Sequence, residues 1–200
     1  MLSVALTGNI ASGKSSVLHL FRQWGAAVTD ADAIVHDLQR KGTPVFQAIV
    51  QRFGGGIVGS DGELDRKALR AIVFNDEAAR HDLERIVHPA VRARTAELAD
   101  AARKQGVRVM VHDIPLLFES ADPDAFERIV LVDAPDSVRR DRLARLRGLD
   151  SALADRLIAA QIPSEDKRAR SDYVIVNDGT LADLEERAAR VWERLRQEAG

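Results

Sequence analysis

Ser3-Val4-Ala5-Leu6-Thr7-Gly8-Asn9-Ile10-Ala11-Ser12-Gly13-Lys14-Ser15-Ser16 decides how the rest of this 200-residue chain is read. A short apolar run enters a glycine-bounded turn, and a lysine with two hydroxyls opens a helical pattern. Gly8, Gly13, Lys14 and Ser15 fit G-x-x-x-x-G-K-S/T, the phosphate-binding loop. The spacing has a chemical reason. Small residues let successive backbone N–H groups curl around a phosphate. The helix that follows aims its positive end at the same anion. Lys14 then reaches the β- and γ-phosphates, and Ser15 offers its hydroxyl to Mg²⁺. The competing account is a glycine-rich strand-to-helix turn that matches by chance. The apolar run before the turn and the helix behind it favour the phosphate loop.

Hydrophobic residues make up 46% of the chain and charged residues 30%, ordinary values for a globular domain with a sizeable core. Lys+Arg 29 against Asp+Glu 31 gives a formal charge of -2, which provides no general electrostatic case for nucleic acid or an anionic membrane. With no cysteine, disulfides, thiol catalysis and zinc–thiolate sites are excluded. No apolar run approaches the ~20 residues of a membrane span. The first residues lack the basic and long apolar regions of a signal peptide. A cytoplasmic protein is the expectation.

Residues 2–7 read as the buried first strand of a parallel sheet. Val17, Leu18, Phe21 and Trp24 then recur at helical spacing up to a stop at Gly25. Residues 26–29 form a second strand, followed at once by Asp30-Ala31-Asp32. Carboxylates at the C-terminal end of a strand lie where open α/β sheets bind ligands. There they orient an acceptor hydroxyl or help to hold Mg²⁺. Asp32 would also serve as the N-cap of a helix opening Ala33-Ile34-Val35.

Residues 33–105 are mostly helical by pattern. Gly54-Gly55-Gly56 and Gly59-Ser60-Asp61-Gly62 interrupt them. This reads as a turn or short hairpin, because it lacks the lysine and trailing helix of a second phosphate loop. Leu64 to Arg70 opens an amphipathic helix with a basic face. His88-Pro89 interrupts the next run, and Pro89 is expected at the first position of a new helix. The five histidines have no metal-ligand spacing.

Val107 to His112 is the third strand, and Asp113 at its end is placed to hold Mg²⁺ through water. Ile114 to Glu119 continues as a rigid apolar segment in which Glu119 either caps or binds. Arg128 to Val132 is the fourth strand, ending at Asp133. Residues 137–147 set Arg139, Arg140, Arg142, Arg145 and Arg147 against Asp141 alone. In an otherwise balanced chain this cluster suits a clamp on a phosphoryl group. The alternative is a solvated basic helix face. A nucleic-acid arm is disfavoured by the lack of interleaved aromatics. Gly148 ends that helix, two short helices flank Pro163, and Tyr173 to Val176 is the last strand. Asn177-Asp178-Gly179-Thr180 turns into a closing helix with the inner stripe Leu181, Leu184, Val191, Trp192 and Leu195.

The order implies one α/β domain over residues 1–200, five parallel strands with helices on both sides. Its core comprises about 1–34, 106–134 and 171–200. A helical insertion at about 35–105 caps the acceptor, and an arginine-rich lid at about 135–170 excludes water.

Several separated motifs together resemble the dephospho-coenzyme A kinase family, from about residue 3 to about residue 190. They are Leu6-Thr7-Gly8 with Gly13-Lys14-Ser15, Asp30-Ala31-Asp32, His88-Pro89, Pro115-Leu116-Leu117-Phe118-Glu119, and Arg156 with Gln161, Glu165, Lys167 and Asn177-Asp178-Gly179. The resemblance implies a three-layer P-loop kinase fold. It implies transfer of the ATP γ-phosphoryl group to the ribose 3′-hydroxyl of dephospho-coenzyme A, with Mg²⁺. ATP then lies on Gly8 and on Ala11, Ser12, Gly13, Lys14, Ser15 and Ser16, under the lid residues Arg139 and Arg145. Asp32 is the candidate general base, and Lys14 and Arg142 spread the charge of the moving group. Asp30, His88, Pro115, Leu116, Leu117 and Glu119 border the acceptor, and Ser15 with Asp30 or Asp113 holds the metal. The expected partners are these small molecules, with no nucleic acid and no membrane, for a monomer.

Two departures stand out. The family loop commonly reads G-G-I-G-S-G-K-S/T, and Asn9 and Ala11 replace two of its glycines. Neither is a motif-defining position, so phosphate binding is expected to survive. The arginine that the lid commonly carries four residues beyond Arg142 is Leu146, between Arg145 and Arg147. Another small-molecule kinase would share the loop and sheet but not the acceptor-side motifs. A GTP-binding switch needs N-K-x-D, which Asn177-Asp178-Gly179-Thr180 is not.

Overall fold

The computed structural model describes residues 1–200, Ser120 by its backbone alone. One sheet holds β1 (Leu2–Thr7), β2 (Ala27–Asp30), β3 (Val109–Asp113), β4 (Arg128–Asp133) and β5 (Tyr173–Val176), in the order β2-β3-β1-β4-β5. β1 pairs in parallel with β3 and β4, and β4 with β5. Both faces of β1 are covered. Leu2, Val4 and Leu6 pack with Val17 and Phe21 of α1 (Lys14–Gln23) and with Trp192 and Leu195 of α10 (Leu181–Glu198). Ala5 points the other way, into a cluster with Leu117, Phe118 and Ile129. Burial on both faces is why the first strand reads as an apolar run rather than an alternation.

β2 and β3 begin one and two residues later than their patterns suggest. The residues before them still close the preceding helices: Ala26 N–H donates to the Phe21 carbonyl, and Val107 N–H to that of Ala102. Leu181, expected in the inner stripe of α10, is 78% exposed. It continues the stripe one turn ahead of the buried residues, where the helix starts.

The chain forms two compact units, Met1–Thr29 with Ala101–Gly200, and Asp30–Asp100. The first also contains α6 (Leu117–Ser120), α7 (Asp136–Arg147), α8 (Ser151–Ala159) and α9 (Ser164–Ala169). The second contains α2 (Ala31–Leu38), α3 (Pro44–Phe53), α4 (Arg66–Asn75) and most of α5 (Glu77–Lys104). Its own core gathers Val45, Ile49, Ile57, Leu64, Leu69 and Val87. The glycine-rich interruption is a single helical turn, Gly55–Ile57, followed by a short hairpin with one antiparallel bridge between Val58 and Leu64.

α5 corrects the expectation at Pro89, because one helix runs through that residue. Proline has no N–H for the Arg85 carbonyl, and it costs a helix interior roughly 3 kcal/mol. Leu83, Ile86, Val87, Ala90 and Val91 all pack into the unit's core. Tertiary burial on both sides of Pro89 keeps the helix continuous. Among the described residues no helix is long and apolar enough to cross a membrane.

His112 ties three strands together. Its Nδ1 lies 2.8 Å from Thr29 Oγ1 and its Nε2 3.2 Å from Ser3 Oγ. Burial pushes its pKa below the ordinary 6.5, favouring the neutral ring. The unfolded chain therefore binds more protons than the folded one just below pH 6.5. Stability from this group is full above that pH and is lost as the pH falls through it. We expect the urea midpoint to drop between pH 7.5 and 5.5, and His112→Asn to flatten that drop. An equal drop in the variant would assign the effect elsewhere.

Candidate active site around the loop after β1

β1 ends at Thr7, and the backbone turns through residues 8–13 into α1. Gly8 and Gly13 are needed for different reasons. A Cβ on Gly8 would stand 2.5 Å from the Val132 carbonyl oxygen and 2.7 Å from Ser12 Oγ. One on Gly13 would stand 2.1 Å from Asn177 Nδ2, and its φ of +94° is left-handed. Gly13 is also the N-cap of α1 and brings no capping side chain. The first N–H groups of the helix are therefore left for an anion. Ala11 is the one non-glycine at positive φ among the described residues, at 59°. That region costs an L-residue about 1–2 kcal/mol. The exchange of glycine for alanine at position 11 is thus not neutral for the backbone.

The loop lines a cavity of about 670 Å³ together with Pro115, Leu146, Arg147, Gln161, Asn177 and Leu181. Gly8, Ala11, Ser12, Gly13, Lys14, Ser15 and Ser16, all expected to bind ATP, lie on its wall. Lys14 forms an ion pair with Asp113, both side chains largely buried. The parallel register sets Asp113 beside Leu6, at the strand end next to the loop. Ser15 and Asp113 are hard oxygen donors of the kind Mg²⁺ takes. Among the described residues no cluster of three or more His, Cys, Asp or Glu is assembled for a metal. A cation held chiefly by substrate phosphates needs only one or two protein carboxylates.

Asp30 and Asp32 divide the alternatives left open by the sequence. Asp30, at the end of β2, is the N-cap of α2 and accepts from Ala33 N–H at 3.0 Å. Asp32 lies in the first helical turn, exposed, with no hydrogen-bond or ion-pair partner among the described residues. His88 is on the exposed side of α5, in a groove with His81, Arg85, Pro89 and Arg92.

Within P-L-L-F-E the roles separate. Pro115 borders the cavity, and Leu116 is 44% exposed. Leu117, expected at the acceptor, is instead fully buried against Ala5 and Ile129. Glu119 accepts from Lys167 Nζ at 2.6 Å, and that lysine is fully buried. A buried ammonium needs such a partner, so Glu119 has a structural duty that leaves its acceptor role unsupported.

The five arginines also separate. Arg140 pairs with Asp155, and Arg145 is exposed and off the cavity wall. Arg139, expected to touch ATP, shares the buried face of α7 with Leu143 and pairs with Asp136. Only Arg142 and Arg147 line the cavity.

Of the other residues that shape the loop, only Gln161 has a signal in the family motifs. Gln161 Oε1 accepts from Ile10 N–H at 2.8 Å. Asn9 Nδ2 donates to Ser164 Oγ at 3.2 Å, and Ser164 donates to the buried Asp133 at 2.8 Å. Asn9 thus fastens the loop to the segment after α8, which a glycine there would not do.

Known proteins resemble this chain in sequence and in fold. A family model described as dephospho-CoA kinase matches residues 2–183. The dephospho-CoA kinase of Symbiobacterium thermophilum is 44% identical over 192 residues, covering 96% of this chain and 80% of that one. The crystal structure of TT1252 from Thermus thermophilus superimposes with a TM-score of 0.78 at 34% identity, over 96% of each chain. Dephospho-CoA kinase from Campylobacter jejuni does so with a TM-score of 0.71 at 26% identity, over 98% of each.

Proposed function

The chain belongs to the dephospho-CoA kinase family, and from that premise we propose that it moves the γ-phosphoryl group of ATP onto the ribose 3′-hydroxyl of dephospho-coenzyme A. The observation that carries the reading is the loop cavity, with Lys14 beside Asp113 at the ends of neighbouring strands. The acceptor oxygen bonds to the γ-phosphorus as the bond from phosphorus to the bridging oxygen of ADP breaks. The hydroxyl proton passes to Asp32. Loop N–H groups and Lys14 hold the phosphates in line, so the chemistry is mainly positioning and charge stabilisation. Arg147 adds a cation on the cavity wall. Mg²⁺, held by Ser15 with Asp113 or Asp30, would neutralise phosphate charge. Residues 135–170 act as a lid and residues 35–105 as the acceptor-binding insertion, and the family resemblance assigns His88, Pro115 and Leu116 to the acceptor. A cytoplasmic monomer suits two soluble anionic substrates.

The test is ADP release with ATP, Mg²⁺ and dephospho-coenzyme A, with the product identified by mass. One added phosphoryl group on the acceptor is expected. Faster turnover of a nucleoside monophosphate would replace this acceptor with another.

A further inference from the structure

We infer that Arg142 is a positioning residue that fixes the carbonyls of the phosphate loop, together with Asn177, rather than a lid cation that meets the transferred phosphoryl group. The inference rests on the nucleotide half of the proposed function and is independent of the acceptor.

Arg142 Nη1 donates to the carbonyl oxygens of Ala11 and Ser12, each at 3.2 Å. Its Nη2 donates to the backbone carbonyl and to Oδ1 of Asn177, each at 3.1 Å. Asn177 Nδ2 closes the ring by donating to the Ser12 carbonyl at 2.7 Å. Asn177 is itself pinned, its N–H donating to the Asp133 carbonyl at 2.7 Å. Both ends of the guanidinium fork are therefore occupied by backbone and amide acceptors.

This arrangement has a directional consequence. In a planar trans peptide the carbonyl and the N–H point opposite ways. Fastening the Ser12 carbonyl to Arg142 and Asn177 turns the Gly13 N–H away from them. Fastening the Ala11 carbonyl helps to hold Ala11 at φ 59°, which alanine does not favour by itself. A rigid fork is suited to bridging two adjacent carbonyls and an amide, whereas the ammonium of lysine is a single point. The close approach at Gly13 belongs to the same unit, because the Asn177 amide fills the space a Cβ would need.

A loop brace and a transition-state cation leave different kinetic marks. The loop holds the phosphates of ATP and ADP alike, so loss of the brace weakens both by the same factor. Charge-assisted hydrogen bonds of this number predict a loss of roughly 10–100-fold. We expect Arg142→Ala to raise the Kd of ADP and the KM of ATP together, with kcat at saturation within about threefold of the parent. Arg142→Lys should recover little of the affinity. Asn177→Ala, which leaves Arg142 in place, should show the same pattern, and the double variant should lose less than the product of the single losses. Thermal unfolding without nucleotide separates these effects from misfolding, and Asn177→Ala supplies the reading if Arg142→Ala does not fold. A kcat loss with unchanged ADP affinity, full rescue by Arg142→Lys, or additive losses would overturn the inference. ADP binding by the parent chain checks the nucleotide reading separately.

Discussion

Lys14→Ala is expected to lower kcat by about 10³-fold, the scale seen when a preorganised cation or hydrogen-bond donor is taken from a transferring group. The Lys14 ammonium rests against Asp113, largely out of solvent. Its place at the end of the loop lets it exchange that carboxylate for phosphate oxygens when ATP enters. Removing it withdraws a unit charge from the γ-phosphoryl group where charge redistributes along the reaction. It also leaves Asp113 as a carboxylate without its cation, next to incoming phosphates. Both changes act in the same direction on transfer. The effect on folding is smaller, because the core beside the loop is apolar and intact: Val4, Leu6, Val17 and Phe21 are fully buried. We therefore expect cooperative thermal unfolding to persist, with a shift of a few degrees, while turnover nearly disappears. Steady-state ADP release with the purified variant checks this. A rate within tenfold of the parent would show that the loop backbone alone stabilises the transferring group.

The loop and the sheet were legible in the sequence because their signals are local. Gly8 and Gly13 answer to a close carbonyl and to a left-handed turn, and the apolar strands answer to burial on two faces. The harder readings arise where distant partners decide. Pro89 looked like a helix start, but residues on either side of it are held in one core. Leu117 and Glu119 sit inside an acceptor-side motif, yet one fills an apolar cluster and the other answers a buried lysine 48 residues further on. Arg142 stood out within a basic helix, where nothing local separated a lid cation from a brace. Its partners lie 130 and 35 positions away, in the loop and in Asn177. The substitutions in the loop looked harmless by pattern. Asn9 gives the loop an amide anchor, and Ala11 places a strained residue where a carbonyl must face Arg142.

Asp32→Ala is expected to lower kcat by about 10³-fold, within the range for loss of a positioned general base, while ATP affinity changes little. The choice of Asp32 over Asp30 follows from helix chemistry. Asp30 has one carboxylate oxygen engaged by the Ala33 N–H, where it starts α2. Its replacement by alanine removes a cap worth about 1 kcal/mol, and that loss registers in unfolding first. Asp32 lies within the first turn of the helix, exposed and unpartnered among the described residues. Both of its carboxylate oxygens are available to an acceptor hydroxyl. Asp32→Asn refines the test because it keeps the shape and a hydrogen-bond acceptor but cannot take the proton. A loss in Asp32→Asn as large as in Asp32→Ala identifies proton acceptance as the contribution. Recovery of most of the rate in Asp32→Asn identifies orientation of the hydroxyl instead. Near-normal turnover in both variants would remove Asp32 from the reaction and leave phosphoryl transfer to a loop and lysine that need no protein base, which the loose transition state of such reactions permits.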